Sequence, residues 1–262
     1  MPLDATADDV DGDGVKNTVD NCPTVANSGQ FDEDGDTRGD ECDPCPQLAA
    51  AADDVDDDGD TIGNGCDPRP AVAGDVLAYW NGFHVASSTL PAGLTMIHGG
   101  ADRWSVVSGH LVFERNSDDW GIPAVDVGTA VHTTDSTFEI TATFTTTTAS
   151  AAGVAVDIAA NDTDLFECQA RTDIQRREMW RRNPAAIDGW SALESLVANT
   201  PEDTYRITLH RTLTDLPCTT TRLGQVSIEL ANSTDSAGNT RAGLFARNVN
   251  VRFRYLAVYT SP

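Results

Sequence analysis

Three stretches near the start of the chain space their oxygen-bearing side chains in one way. They are Asp9-x-Asp11-x-Asp13-x-Val15-x-Asn17-x-x-Asp20, Asp32-x-Asp34-x-Asp36-x-Arg38-x-Asp40-x-x-Asp43 and Asp56-x-Asp58-x-Asp60-x-Ile62-x-Asn64-x-x-Asp67. Each places Asp or Asn at positions 1, 3, 5, 9 and 12, and leaves a backbone carbonyl for position 7 at Val15, Arg38 or Ile62. Carboxylates two residues apart in a tight loop repel one another unless a cation neutralises them. A hard cation such as Ca²⁺ takes roughly six to eight oxygens, and one loop of this kind can supply most of them.

The spacing matches that of an EF-hand loop, but the surroundings do not. Loop one has glycine at position 6 (Gly14), where loops two and three do not; they carry glycine at positions 4 and 8 (Gly35 and Gly39, Gly59 and Gly63). Position 12 is Asp rather than the longer Glu, and no helical pattern flanks any loop. The expectation is calcium loops outside the EF-hand framework. Without a cation, a segment this rich in Asp and Gly and this poor in apolar residues reads as a disordered acidic tether.

Cysteine and proline punctuate the loops: Asp20-Asn21-Cys22-Pro23 closes the first, Asp40-Glu41-Cys42-Asp43-Pro44-Cys45-Pro46 the second, and Gly65-Cys66-Asp67-Pro68 the third. With Asn27-x-x-Gln30 ahead of loop two, residues 8–68 resemble the thrombospondin type 3 repeat, which alternates an Asp-Asn-Cys-Pro form with a Gly-Asp-x-Cys-Asp form. The resemblance implies a segment with almost no regular secondary structure, wrapped around a line of calcium ions. It implies more than one ion per repeat, with ligands shared between neighbouring repeats. It also implies the pairs Cys22–Cys42 and Cys45–Cys66, which leaves Cys168 and Cys218 as a third pair. Asn17 and Asn64 stand where the family more often has Asp, which lowers the local charge.

Spacing alone does not fix the disulfide pairing, but six cysteines point to an oxidising compartment. Cys42-x-x-Cys45 is half of a zinc site, and no second Cys or His pair answers it. Charge divides the chain: residues 1–70 hold 20 Asp or Glu against Lys16, Arg38 and Arg69, within an overall net charge of −24. Such a segment cannot bind nucleic acid by neutralising phosphates. No apolar run is long enough to span a membrane. Met1-Pro2-Leu3-Asp4 lacks the basic start and apolar stretch of a secretion signal, so the expectation is a mature or trimmed chain.

Gln47–Ala52 reads as one helical turn or a spacer, and Pro68, Pro70 and Gly74 mark a domain boundary, giving 1–70 and 71–262 as the two domains. Beyond it Thr, Val and aromatics take over. Strands are expected at Leu111–Arg115, Thr137–Thr145, Gly153–Ile158, Leu165–Arg171, Arg176–Arg181, Tyr205–Leu213, Gln225–Leu230, Ala242–Arg247 and Val249–Tyr259. Many strands, polar turns and no long helix predict a mainly β protein, an antiparallel β-sandwich preceded by an irregular, calcium-bound, disulfide-stapled segment. The run Gly243-Leu244-Phe245-Ala246-Arg247-Asn248 with Val251, Phe253, Tyr255, Val258 and Tyr259 resembles the closing strands of laminin-G-like, concanavalin-A-like jelly rolls, which often end in a Gly-Leu hairpin strand and an alternating strand.

That superfamily contains both glycosidases and non-catalytic lectins. Glycoside hydrolysis needs two positioned carboxylates, and the close Glu-x-Asp-x-x-Glu run of jelly-roll glucanases is missing. Glu139 and Glu167 each stand alone on a strand and read as solvated side chains, so no catalytic pair is expected. The histidines (His84, His98, His110, His132, His210) are scattered and read as ordinary surface or partly buried groups. Arg171, Arg176, Arg177, Arg181 and Arg182 with Trp180 form the one basic cluster. Alternation sends Arg177 and Met179 one way and Arg176, Glu178 and Trp180 the other. Arg177, Trp180 and Arg181 are the candidate ligand contacts, for a sugar ring with acidic substituents; docking of the acidic repeat or a salt-bridged strand face are the structural alternatives. Asp157, Asp162 and Asp164 are available for a further calcium site, and Asn161 and Asn232 begin glycosylation sequons.

The whole reads as an extracellular or cell-surface protein with several Ca²⁺ ions in a stalk and a sandwich for a carbohydrate or a cell-surface protein, serving adhesion, display or matrix organisation. A secreted carbohydrate-active enzyme and a structural filament subunit are the alternatives.

Overall fold

The computed structural model describes all residues except 1–7, 115–119, 130, 144–149, 161–163, 173–175, 183–193, 196–203, 213–214, 223–227 and 231–237. The chain divides into two compact units, Met1–Val76 and Leu77–Pro262.

The described part of the first unit consists of turns and extended links, with no helix or strand before Val76. Its chemistry explains this. Aspartates alternate with small residues, and their side chains bond backbone N–H groups two to five positions away, which competes with any helix or ladder. Gln47–Ala52 is a spacer: Leu48 N–H donates to Cys45 O (2.9 Å) and Asp53 N–H to Ala50 O (2.7 Å).

The second unit is a sandwich of two antiparallel sheets. One holds β1 (Val76–Asn81), β3 (Trp104–Val107), β4 (His110–Phe113), β6 (His132–Thr143), β11 (Thr204–Arg211), β12 (Cys218–Arg222), β13 (Ile228–Leu230), β15 (Val249–Phe253) and β16 (Leu256–Thr260). The other runs β10 (Glu194–Ser195), β9 (Arg176–Arg182), β8 (Leu165–Arg171), β7 (Ala151–Val156), β14 (Arg241–Arg247), β5 (Trp120–Asp126), β2 (Thr95–His98). The core lies between them: Leu111, Phe113, Phe138, Ile207, Val251 and Phe253 from the first meet Val154, Phe166, Met179, Ala242 and Leu244 from the second. The period of two is plain in β11, where Tyr205, Ile207, Leu209 and Arg211 are buried and the residues between them are not.

The end of the chain departs from expectation. Val249–Tyr259 is two strands, broken at Arg254 and Tyr255, where the Arg254 N–H donates to Thr137 O (2.8 Å). The glycine-leucine strand β14 forms no hairpin with β15, because the two belong to opposite sheets. The corner between them is Asn248 at φ 52°, a left-handed conformation that Asn tolerates better than most residues. Six strands (β1, β2, β3, β5, β10 and β12) lie outside the nine expected. Of the expected segments, Arg115, 144–145, Leu213 and 225–227 fall outside the described residues, as do both sequons and Asp162.

Buried charge accompanies the core. Arg206 grips Asp135 through its guanidinium, and Tyr255 donates to the same carboxylate (3.3 Å). Arg211, fully buried, reaches Asp157 at 3.7 Å, and its register partner is His132, also fully buried. Burial, with the Arg211 charge adding, pushes the His132 imidazole down to about 4; the Thr129 carbonyl and Asp157 act in the opposite direction, and His210 adds to the lowering. A depressed histidine binds its proton in the unfolded chain first, so stability falls as pH drops from about 6.5 to about 4, by about 3 kcal/mol at the limit. Denaturant unfolding at pH 7 and pH 4.5 should therefore show a steeper loss in the native protein than in His132→Asn; equal losses would remove His132 from the account. Among the described residues no helix is long and apolar enough to cross a membrane.

Candidate functional site

The acidic loops fold on themselves by one repeated scheme. The position 1 carboxylate accepts two backbone N–H groups, from positions 4 and 6: Asp9 from Gly12 (2.7 Å) and Gly14 (3.1 Å), Asp32 from Gly35 (2.8 Å) and Thr37 (3.1 Å), Asp56 from Gly59 (2.7 Å) and Thr61 (2.9 Å). These bonds hold the Asp56 carboxyl below its ordinary range. Wrapping the backbone so tightly demands positive φ at both donors, 75° and 95° in loop one, 81° and 87° in loop two, 85° and 81° in loop three. Loops two and three therefore force Thr37 and Thr61 into a conformation that suits glycine. Thr37→Gly and Thr61→Gly should each stabilise the calcium-loaded protein by about 1 kcal/mol, measured as a raised midpoint in denaturant. Destabilisation by either would show that the threonine side chain makes a contact worth more than the strain.

Position 3 directs one oxygen inward. Asp11, Asp34 and Asp58 each accept the position 5 N–H through Oδ1 (3.2, 3.1 and 3.3 Å). Their Oδ2 atoms are sealed from solvent without a hydrogen-bond partner. The position 5 carboxylates of Asp13, Asp36 and Asp60 accept the position 7 N–H groups of Val15, Arg38 and Ile62 (2.7, 2.7 and 3.1 Å). Position 9 closes the ring. Asn17, Asp40 and Asn64 accept the position 2 N–H groups of Val10, Glu33 and Asp57 through Oδ1 (3.0, 2.8 and 3.2 Å).

Among the described residues the carboxylate oxygens gather in five groups, within 4.8 Å in each: Asp9–Asp11–Asp13, Asp32–Asp34–Asp36, Asp56–Asp58–Asp60, Asp36–Asp43–Asp54 and Asp60–Asp67–Asp75. Position 5 of loops two and three thus belongs to two groups. Asp54 and Asp75 were outside the sequence register, which ends at position 12 and gives no signal for an acid supplied from beyond the loop. Among the described residues loop one has no such third acid. There Gln30 Nε2 donates to Asp20 Oδ1 and Asn27 Oδ1, both at 2.8 Å.

Each position 12 aspartate caps the next turn: Asp20 accepts from Cys22 (2.8 Å), Asp43 from Cys45 (2.8 Å) and Asp67 from Arg69 (2.7 Å). The second oxygens of Asp20 and Asp67, and Oδ1 of Asp54, are buried without a hydrogen-bond partner. Desolvation and crowding by neighbouring carboxylates push Asp34 up to about 6 and Asp43 and Asp67 up to about 7, and raise Asp11 and Asp58. Sealed, mutually repelling carboxylate oxygens are the donor set that a hard divalent cation relieves, and Ca²⁺ fits it.

Two disulfides brace this arrangement, Cys22–Cys42 and Cys45–Cys66, both with Cα atoms 5.7 Å apart. They explain the position 8 glycines. A Cβ on Gly39 would strike Cys22 Sγ, Asn21 and Asn27, and one on Gly63 would strike Cys45 Sγ and the Asp53 carbonyl. Glycine is required at these positions for room rather than for φ. The third disulfide, Cys168–Cys218, joins β8 to β12 and so ties one sheet to the other through the core.

On the sandwich, the three candidate ligand contacts do not share a face. Trp180 pairs with Glu167 across β8 and β9, whereas Arg177 stands opposite core-facing Ala170 and Arg181 opposite core-facing Phe166. The Arg177 side chain lies outside the described residues. Arg181 lies over the Phe166 ring at 5.2 Å and pairs with Asp164 at 3.5 Å. Glu167 is not the solvated side chain expected from its isolation in sequence: it is 2% exposed and lies 3.8 Å from Arg247 Nη2. Glu178, also 2% exposed, accepts from Trp180 Nε1 (2.7 Å), Arg171 (3.1 Å) and Gln169 (3.4 Å). Asp157 and Asp164 are taken by Arg211 and Arg181 and do not come together.

Residues 4–30 match the family model of the thrombospondin type 3 repeat, which takes in loop one and the turn after it. No curated protein matches the sequence. Among solved structures, the chain is similar to a mutant of the GH43 protein BlXynB from Bacillus licheniformis (11% identity, TM-score 0.52, 70% of this chain and 39% of that one). It is similar also to a Bacteroides ovatus protein described as xyloglucan PUL GH43B (14%, TM-score 0.51, 68% and 38%). A carbohydrate-binding module, CBM66 of Bacillus subtilis, aligns over 64% of this chain and 96% of its own at 10% identity and TM-score 0.45. The chain thus spans about two-fifths of the length of the GH43 proteins, and at these identities the likeness is one of fold.

Proposed function

We propose that residues 9–75 bind several calcium ions as a disulfide-braced stalk, and that the β-sandwich recognises a carbohydrate outside the cell, in adhesion, surface display or matrix organisation. One observation carries the calcium reading: the position 3 oxygens of Asp11, Asp34 and Asp58 are each sealed and unpartnered beside two further carboxylates. Extracellular modules of this kind bind Ca²⁺ at roughly 10⁻⁴–10⁻³ M, so export would load them, and the three disulfides fit the same compartment. The sandwich fold supports the carbohydrate half by likeness alone.

Calorimetric titration of chelator-treated protein tests the first half. Several ions should bind, and Asp34→Ala should remove at least one; no heat at millimolar calcium would refute the stalk. A polysaccharide panel tests the second half. Release of reducing sugar, abolished by Glu167→Gln, would replace recognition with catalysis.

A further inference from the structure

Two of the five carboxylate groups are completed by an acid from outside the loop, and in both that acid carries an arginine. In loop two the outside acid is Asp54, and Arg38 Nη2 lies 3.5 Å from its Oδ2. In loop three it is Asp75, and Arg69 donates to its Oδ1 from Nε (3.1 Å) and Nη2 (2.9 Å). The two arginines come from unrelated positions. Arg38 is position 7 of its own loop, whereas Arg69 lies two residues beyond position 12. Loop one has a single group among the described residues and no arginine of its own; the chain holds none before Arg38. Its position 12 aspartate meets the neutral amide of Gln30 instead.

Each arginine holds its acid chiefly by one oxygen. Asp54 turns Oδ2 to Arg38, and its Oδ1 is buried without a hydrogen-bond partner. The Asp54 side chain is 8% exposed, so that oxygen is shut in with the carboxylates of Asp36 and Asp43. In loop three, Asp67 Oδ2 is sealed in the same way. Asp60 Oδ2 accepts the Gly74 and Asp75 N–H groups (3.0 and 2.8 Å), which fixes the backbone that carries Asp75. A sealed carboxylate oxygen with no partner is costly, and a cation beside it relieves that cost.

Charge defines what the arginines do. In loops two and three the two groups share the position 5 aspartate and so hold five carboxylates between them. Two calcium ions bring four positive charges, and the arginine brings the fifth. We propose that Arg38 and Arg69 are the resident counter-ions of two-calcium clusters in loops two and three, and that they set the preference of these clusters for divalent over trivalent cations. The inference rests on the calcium reading above and deepens it. A fixed positive charge opposes an incoming cation in proportion to that cation's charge, so it penalises a trivalent ion more than a divalent one. Without the arginine, five carboxylates match one divalent and one trivalent ion. Arg69, 30% exposed and bonded through two nitrogens, should act more strongly than Arg38, which is 44% exposed and reaches its acid at 3.5 Å.

The test titrates the chelator-treated full chain with Ca²⁺, and with Tb³⁺ against millimolar Ca²⁺, in the native protein, Arg69→Met, Arg69→Lys and Arg38→Met. Methionine removes the charge and keeps an unbranched stem, and lysine keeps the charge. Arg69→Met should raise the preference for Tb³⁺ over Ca²⁺ about tenfold, Arg38→Met should raise it less, and Arg69→Lys should stay near the native ratio. An arginine that only positions its acid would move both affinities together and leave their ratio alone. Thermal melts in millimolar calcium establish that each variant is folded, and Arg69→Gln replaces Arg69→Met if that variant is not. An unchanged ratio in either methionine variant, with calcium still bound by the native protein, overturns the role of that arginine and spares the calcium reading. A ratio that rises as far in Arg69→Lys as in Arg69→Met overturns the charge argument, because lysine lacks only the planar fork. Failure of the native protein to bind calcium overturns both readings.

Discussion

Chelation of calcium should unfold the first unit while the sandwich keeps its own transition. The unit has few apolar residues to bury; only Cys22, Cys45 and Ile62 among its described hydrophobic residues are buried. Its carboxylates also repel one another. Bound ions must therefore supply most of its folding free energy. At calcium tenfold above Kd, each ion contributes about 1.4 kcal/mol. The five carboxylate groups together would give about 7 kcal/mol, as much as the whole net stability of an ordinary small domain. Scanning calorimetry should show two transitions in millimolar calcium and one after chelation. The sharing of position 5 gives a finer expectation. Asp36→Ala and Asp60→Ala each damage two groups and should lose about two ions, whereas Asp11→Ala should lose one. Equal losses from all three would mean that the groups do not share a ligand. An unchanged melt after chelation would mean that the segment is ordered by something other than calcium.

The loops were legible because their chemistry is local. A 1-3-5-9-12 register places its own acceptors within reach of its own N–H groups, and a sequence shows such spacing directly. What lay beyond twelve residues was not legible. Asp54 and Asp75 complete their groups from outside the register, and the bond by which position 9 closes the loop onto the position 2 N–H was not foreseen. Loop one alone carries glycine at position 6, as an EF-hand loop does, yet its position 12 aspartate meets an amide, and Asn27-x-x-Gln30, noted only as a repeat opening, supplies that amide.

In the sandwich, alternation found the strands rich in β-branched and aromatic residues, such as Tyr205-x-Ile207-x-Leu209. It failed at β5, whose Gly121 and Pro123 argue against a strand; Pro123 is accommodated where β2 shifts register between Met96 and His98. Glu167 read as solvated because a lone glutamate on a strand shows nothing of its neighbours. Arg247, Trp180 and Ala155 lie beside it only once β8 is paired on both sides.

Loss of the inter-sheet disulfide should cost the sandwich more than any single core substitution of ordinary kind. Cys168 and Cys218 are fully buried, 50 residues apart in sequence, and anchor strands of opposite sheets. In the chain-entropy treatment, closing a loop of this length restricts the unfolded chain by about 4 kcal/mol. The strands themselves need no repair when it is cut. Met179 pairs beside Cys168 and Leu209 beside Cys218, so two alanines leave the surrounding apolar contacts in place and open only a small void. Denaturant unfolding of Cys168→Ala/Cys218→Ala at fixed calcium should lower the sandwich transition by about 4 kcal/mol and leave the calcium-dependent transition where it was. The double variant also separates two contributions that a reducing agent would merge, because reduction opens Cys22–Cys42 and Cys45–Cys66 as well. A loss well under 1 kcal/mol would show that the two sheets are already held together in the unfolded ensemble, or that core packing of Phe138, Phe253 and Tyr205 with Val154, Phe166 and Leu244 of the other sheet alone fixes their spacing.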